Sequence, residues 1–283
     1  NFNGMQRVIK YNFKSSVLAL FSGLFVLFFS SCEDTVKLDL NEGTPKIVID
    51  AELIWKKGTT GSEQTIRISK TTSYYNADTP KVSGAQVRVE NSNGTSFIFN
   101  ESAPGVYVCT NFVPVVDMDY VLHVQAEGQS FTAVEKLTSV TPINKVEQKY
   151  VPDISGPDVL VVQIYFNDPA DKSNYYLTDF KSDFLKFPLY VNSDDELLNG
   201  NEISIQFGDT DLKPGKTIAI VNRGISKNFF NYMKLILEAS QGNPFSVPPG
   251  NIRGNIVTTK TPDNYAMGYF RLCEADAVSY LVK

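Results

Sequence analysis

Beyond residue 45 the chain is written in short stretches of alternating apolar and polar side chains, the period-two pattern of half-buried strands. Residues 46–55 combine alternation with β-branched side chains, and 65–70 and 85–90 alternate cleanly. Residues 96–100 run back from a turn at 91–94, which makes a hairpin. Pro104-Gly105 turns the chain into 106–109, and 120–126 and 130–134 pair about Glu127-Gly128-Gln129. Residues 71–82 are polar, contain Tyr74 and Tyr75, and read as a long loop. Seven or so short strands with frequent turn signals predict a β-sandwich over 45–138, of immunoglobulin-like or prealbumin-like kind.

Thr141-Pro142 marks a boundary, and 139–283 reads as a second β-rich domain. Its expected strands are 143–150, 159–166, 175–180, 203–207, 217–222 and 266–272. The stretch 159–166 is nearly all apolar, as a central strand requires, whereas 193–201 is an acidic, glycine-containing loop. Over 225–240 the period changes. Phe229, Phe230, Met233, Ile236 and Leu237 recur at three- and four-residue intervals, the spacing of one helix face. Ser226 is placed to cap this helix, and Gly242-Asn243-Pro244 to stop it before a loop at 248–250. The fold class predicted is mainly β, a sandwich followed by a second β-rich domain with one helix.

The first residues obey a different rule. Arg7, Lys10 and Lys14 precede an apolar run at 17–29 that only Ser22 and Gly23 interrupt, and Ser30, Ser31 and Cys32 follow. The run is 13 residues long, against the roughly 20 that span a bilayer. A positive region, an apolar region and small residues before a cut define a secretory signal over 1–31, with 1–4 an upstream extension before Met5. A cysteine at the cut is what distinguishes a lipoprotein signal, because the diacylglycerol is carried on a thioether. Cys32 is therefore the expected lipidation site, with Phe29 standing where such signals often carry Leu. Residues 32–44 form an acidic tether. Glu33 and Asp34 just after the cysteine resemble the surface-export signal of Bacteroidota lipoproteins, and Asp34-Thr35-Val36 makes Thr35 a candidate O-glycosylation site. Asn93-Gly94-Thr95 reads as a turn.

Charge narrows the partners. The chain carries −5 overall. Three of its 26 Lys and Arg precede Cys32 and none of its 31 Asp and Glu does, so the remainder holds 23 basic against 31 acidic side chains, or −8. An acidic surface repels phosphate backbones, which excludes nucleic acid as the expected partner.

Enzymatic chemistry has little to work with. His123 is the single imidazole, so a His-rich zinc site is excluded, and a lone strand histidine reads as structural. Nothing local supports a dyad of Cys109 and His123. Nucleophile-elbow, dinucleotide and phosphate-loop motifs do not occur. The expectation is a protein without catalytic residues or cofactor, its one attached group the lipid on Cys32. Cys109 and Cys273 lie far apart in sequence; an exported protein can pair them, but two buried free thiols are the favoured reading. Asp168, Asp171 and Asn174 crowd one turn and form a calcium candidate, set against ordinary Asp-Pro turn chemistry, which is favoured. Asp194-Asp195-Glu196 is expected to be solvated. Tyr74, Tyr75, Tyr175 and Tyr176 are candidates to stack on sugars or anchor a protein, although adjacency lets at most one of Tyr175 and Tyr176 face outward.

Several segments in order carry a family resemblance: Val82-Ser83-Gly84-Ala85-Gln86-Val87, Pro104-Gly105-Val106-Tyr107, Asp168-Pro169 with Asn174-Tyr175-Tyr176, Asn243-Pro244-Phe245, and Ala266-Met267-Gly268-Tyr269-Phe270. After a lipoprotein signal, this series resembles the Bacteroidota lipoproteins of domain of unknown function 4249. The resemblance implies a surface or outer-membrane lipoprotein with an N-terminal sandwich, encoded near TonB-dependent receptors. It implies a partner β-barrel and supplies no catalytic residue. Only the acylated Cys32 carries over; Gly84, Pro104 and Gly105 read as turn makers and Tyr107 as core. The function expected is that of an accessory binding or assembly subunit, anchored in the outer membrane and working with a TonB-dependent transporter. The alternative is a stand-alone surface lipoprotein that binds carbohydrate or peptide, which a cleft lined by two or more exposed aromatics favours.

Overall fold

The alternating stretches of the N-terminal half become seven strands: β1 (Ile47–Lys56), β2 (Gln64–Lys70), β3 (Gln86–Asn91), β4 (Ser96–Ala103), β5 (Val106–Cys109), β6 (Asp119–Ala126) and β7 (Gln129–Lys136). A computed structural model describes residues 44–73, 78–153, 156–240, 252–260 and 264–283. The signal over 1–31, Cys32, Thr35, the tether up to 43, Tyr74, Tyr75 and the helix stop at 242–244 lie outside the described residues.

In the first half the inward positions of two layers meet. Ile49, Ala51 and Leu53 of β1, Ile66 and Ile68 of β2, Val87 and Val89 of β3 and Leu122 and Val124 of β6 share one core. Strand β4 joins the layers. Its first part pairs with β3, its register shifts between Glu101 and Ala103, and its end pairs with β5. A bulge of this kind bends a strand, which lets one strand turn the corner of a sandwich. Tyr107 locks the same corner from inside. Fully buried, its hydroxyl donates to the Val82 carbonyl at 2.8 Å and accepts from the Ala85 N–H at 2.9 Å. The Glu101 carboxylate takes the N–H groups of Gly84 at 2.8 Å and Gly105 at 3.2 Å. Two of the segments that carry the family resemblance, 82–87 and 104–107, are therefore one structural joint.

The second half adds β8 (Lys145–Val151), β9 (Val159–Asn167), β10 (Tyr175–Lys181), β11 (Leu189–Asp194), β12 (Glu202–Gly208), β13 (Thr217–Ile225), helix α1 (Lys227–Ser240), β14 (Val257–Thr258) and β15 (Met267–Leu281). Strand β9 is central in a three-stranded sheet ordered β12-β9-β8, as its apolar run predicts. All other strands form one continuous sheet, ordered β11-β10-β13-β15-β1-β2-β5-β4-β3-β6-β7-β14. The core of the second half holds Val162, Ile164 and Phe166 of β9, Tyr176 and Phe180 of β10 and Ile218 and Ile220 of β13.

The division expected at 138/139 is corrected. Residues Thr44–Lys283 make one compact unit with two large cores and a smaller cluster of Leu177, Ile225, Phe229 and Tyr269. Strand β15 is the reason: its 15 residues exceed the expected 266–272 and pair with two partners. Its first part runs parallel to β1, from Val48↔Met267 to Lys56↔Ala275, and its end runs antiparallel to β13. Phe270 and Leu272 consequently lie in the first core, together with Ile256 and Ala266. Strand β11 is a second correction, because ordered pairing with β10 extends through Asp194 into the expected loop.

Candidate functional site

The residues singled out from the sequence are used for structure. Asp168 accepts from the buried Tyr176 hydroxyl and, at 3.1 Å, from the Gly200 N–H. Burial and the Asp168 carboxylate both push the Tyr176 phenol up. Asn174 donates from its side chain to the Pro169 carbonyl at 3.2 Å and the Lys172 carbonyl at 2.9 Å, while Asp171 is exposed. These are the hydrogen bonds of a turn. Among the described residues no three His, Cys, Asp or Glu side chains gather as metal ligands. Asp195, expected in solvent, is 2 % exposed, because it accepts the Asn174 N–H at 2.8 Å and closes that turn. Tyr175 is half-buried against Phe230 of α1, with ring centroids 5.1 Å apart, so neither member of the Tyr175-Tyr176 pair is a free platform.

Cys109 and Cys273 are free, buried thiols. Strands β5 and β15 are separated in the sheet by β2 and β1, three spacings or roughly 14 Å, beyond the reach of a disulfide. Burial pushes the Cys273 thiol up to about 12.

A charged cluster that the sequence did not single out lies on the face of the long sheet turned away from the first core. Glu52 of β1 alternates with the core residues Ala51 and Leu53, and Arg271 of β15 stands beside it in register. Glu52 Oε2 is 2.8 Å from an Arg271 terminal nitrogen and Oε1 is 3.4 Å from Arg223 Nε. Asp179 of β10 accepts from the other end of the Arg223 guanidinium, and Asp50 lies 3.6 Å from Arg271. Burial opposes ionisation of Glu52, but Arg271 and Arg223 outweigh it and hold the carboxyl below its ordinary range. Helix α1 covers part of this face. Phe229, its buried residue, packs on Tyr269 with ring centroids 4.9 Å apart, and the Arg271 guanidinium sits 4.8 Å from the Phe229 ring centre. The arrangement fastens a helix to a sheet; its charges answer one another.

The start of α1 is held by a buried carboxylate. Ser226 caps the helix as predicted, its hydroxyl oxygen accepting the Phe229 N–H at 3.1 Å. The same hydroxyl donates to Glu135 of β7 at 3.0 Å. Burial raises the Glu135 pKa more than its hydrogen bonds from Lys136, Ser226 and Tyr269 lower it. A carboxyl whose pKa is raised by folding favours the folded state below its unfolded pKa, and that contribution is lost as pH rises through the folded value. Glu135→Gln, which keeps an acceptor oxygen, is therefore expected to be relatively more stable than the parent at pH 8 than at pH 4. Thermal unfolding across that range checks it; a constant offset between the two proteins would refute it.

The open cavity of the first half lies on the solvent side of the β4-β3-β6-β7 layer. Its volume is ≈ 650 Å³, and its walls include Arg88, Asn100, Glu101, His123, Gln125 and Ser130. Arg88, Asn100, His123, Gln125 and Ser130 are outward members of the alternation whose inward members form the core, and Glu101 reaches the rim from the sandwich corner. Arg88 and His123 face each other across β3 and β6, and Arg88 pairs with Glu90 at 2.5 Å. Partial burial, and then the Arg88 cation, lower the His123 pKa, with Glu90 pulling the other way. In its neutral form the imidazole offers one donor and one acceptor. The lining aromatics Phe99 and Phe131 are 2 % and 3 % exposed and belong to the core. The groove thus offers hydrogen bonds and charge, and its aromatic rings offer no stacking surface.

The family model described as Domain of unknown function (DUF4249) matches residues 33–277. No curated protein matches the chain. Among solved structures, a two-domain fibronectin type-III segment from chicken tenascin is similar at 11 % identity, with 58 % of this chain and 85 % of that chain covered and a TM-score of 0.22. The fibronectin domains FN1–FN3 of chicken CNTN1 are similar at 16 % identity, over 66 % of this chain and 63 % of that one, with a TM-score of 0.27.

Proposed function

For a chain that belongs to the DUF4249 family, we propose a non-enzymatic role as an outer-membrane lipoprotein that serves as an accessory binding or assembly subunit of a TonB-dependent transporter. In this reading Cys32 carries the lipid and the acidic tether lifts the sandwich from the leaflet toward the cell surface. Two acyl chains anchor stably where one holds only marginally. The observation that carries the reading is the polar groove on the β4-β3-β6-β7 layer, open to solvent and backed by the first core. Binding residues held on paired strands need little ordering when a partner arrives. The rival reading is a lipoprotein that captures carbohydrate or peptide by itself; for carbohydrate it lacks a stacking surface at this groove, where Phe99 and Phe131 are turned into the core.

The test places a photo-crosslinking residue at Gln125 in the groove and, as control, at the exposed Lys213. Irradiating intact cells is expected to join position 125, and not 213, to an outer-membrane barrel protein. Absence of any such adduct at 125, with the protein present in the outer membrane, rejects the role. Cys32→Ser is expected to abolish incorporation of labelled palmitate, and a normally labelled variant rejects the anchor.

A further inference from the structure

The open edge at β11 points to a second copy of this chain as its occupant: we infer that two molecules pair antiparallel through β11. This edge lies at the other end of the strand order from the groove, and the inference goes beyond the role proposed for that groove.

Among the described residues strand β11 has a strand neighbour, β10, on one side only. An edge strand turns half its backbone N–H and C=O groups outward, and proteins blunt such edges with charge, proline or bulges. Strand β8, an edge of the three-stranded sheet, carries Lys145, Glu147 and Lys149. In contrast, β11 reads Leu-Tyr-Val-Asn-Ser-Asp and holds no charge before its last residue. Leu189 is 43 % and Tyr190 40 % exposed, and Phe187 and Leu197 beyond its ends are 71 % and 93 % exposed. An open edge with apolar side chains along it is a template for another strand.

Charge selects which strand. Exposed Lys186 precedes β11 and exposed Glu196 follows it, and neither forms an ion pair among the described residues. An antiparallel strand sets its N-terminal end against Asp194 and Glu196 and its C-terminal end against Lys186. The incoming strand must therefore be basic at its start, apolar in the middle and acidic at its end. Residues 186–196 of this chain have that order. A two-fold axis through Val191 pairs Leu189 of one molecule with Ser193 of the second copy, twice, and sets the bend that carries Lys186 at the end where the second copy's turn carries Glu196. Such self-complementarity is what an isologous dimer requires.

Sedimentation of the full chain in mild detergent tests this with Lys186→Glu and Glu196→Lys, two exposed changes that leave the fold intact. The parent is expected to dimerise, and each single reversal to weaken the dimer about tenfold, since each converts two attractions into two repulsions. Mixing the two single variants restores both attractions, so heterodimers are expected at the parent's affinity. The double variant is likewise expected to dimerise. A parent that stays monomeric at high micromolar concentration overturns the inference. So do reversals without effect, or a mixture that fails to recover. If a monomeric parent loses its barrel partner on Leu189→Lys, the edge takes a different chain, which also overturns self-pairing. Loss of the groove adduct at position 125 reports on the proposed role and leaves these outcomes untouched.

Discussion

Glu52→Gln is expected to destabilise the protein by about 2–3 kcal/mol, with a lower urea midpoint and an unchanged denaturant slope. Removing one partner of a fully buried ion pair costs roughly 3–5 kcal/mol, because the surviving charge is left buried and unanswered. Here Glu52 answers two guanidiniums, Arg223 and Arg271, whose side chains are 9 % and 19 % exposed. Glu52 itself keeps 24 % of its side-chain exposure, which argues for the lower figure. The glutamine side chain retains the shape and one acceptor, so the loss measured is that of charge. The pH dependence gives an independent check. A carboxyl held low in the folded state contributes stability above its unfolded pKa, near 4.3, and loses it as pH falls through the folded value. The parent should therefore lose more stability than Glu52→Gln between neutral pH and acid, and the two curves should converge below the carboxylate range. Parallel curves would show that Glu52 is not held low by the arginines. Since the Arg271 guanidinium also lies on Phe229, the variant is expected to loosen α1 first, seen as faster amide exchange in Lys227–Ser240 than in β9.

What could be read from the chain alone follows from which interactions are local. Strands β1 to β7 declare themselves because each buries one face, and burial of one face is alternation. Helix α1 declares itself through Phe229, Phe230 and Met233 and through the Ser226 cap, all within one short segment. Strand β11 is hidden because Leu189–Asp194 has one strand neighbour and no alternating core face: only Val191 packs toward the second core. The length of β15 is hidden because it changes partner partway, from β1 to β13, and neither partner is near in sequence. The cluster of Glu52, Asp179, Arg223 and Arg271 draws one residue from each of four strands, so no spacing betrays it. Its trace in the sequence is charge inside otherwise apolar strands, as Arg223 in Thr217–Ile225 and Arg271, with Glu274 and Asp276, in Met267–Leu281. A buried charge needs an answer, and that rule asks for a partner without naming it. The groove is the polar half of an alternation already legible.

Gly268→Ala is expected to cost at least ~3 kcal/mol, a large share of the 5–15 kcal/mol that typically holds a domain. Gly268 pairs with Ile49 where β15 begins its parallel run along β1. Its φ is +93°, a conformation that side chains with a Cβ rarely adopt. A Cβ there would stand 2.1 Å from the Ile49 carbonyl oxygen. That oxygen belongs to the backbone of a core strand and cannot swing aside as a side chain would. The clash has a second wall, since the Gly268 carbonyl oxygen is itself only 1.8 Å from where a Cβ on Gly254 would lie. Three backbone segments meet at this point, and the two cores depend on it, because β15 carries Phe270 and Leu272 into the first and then pairs with β13 beside the second. Gly128→Ala separates the two costs. Gly128 has φ +75° and nothing within 4 Å of its would-be Cβ, so it should lose only the conformational penalty of roughly 1–2 kcal/mol. Urea midpoints of the two variants measured together decide the matter. A Gly268→Ala protein no less stable than Gly128→Ala would mean that β15 can move away from β1, and that the close approach is not what joins the two halves.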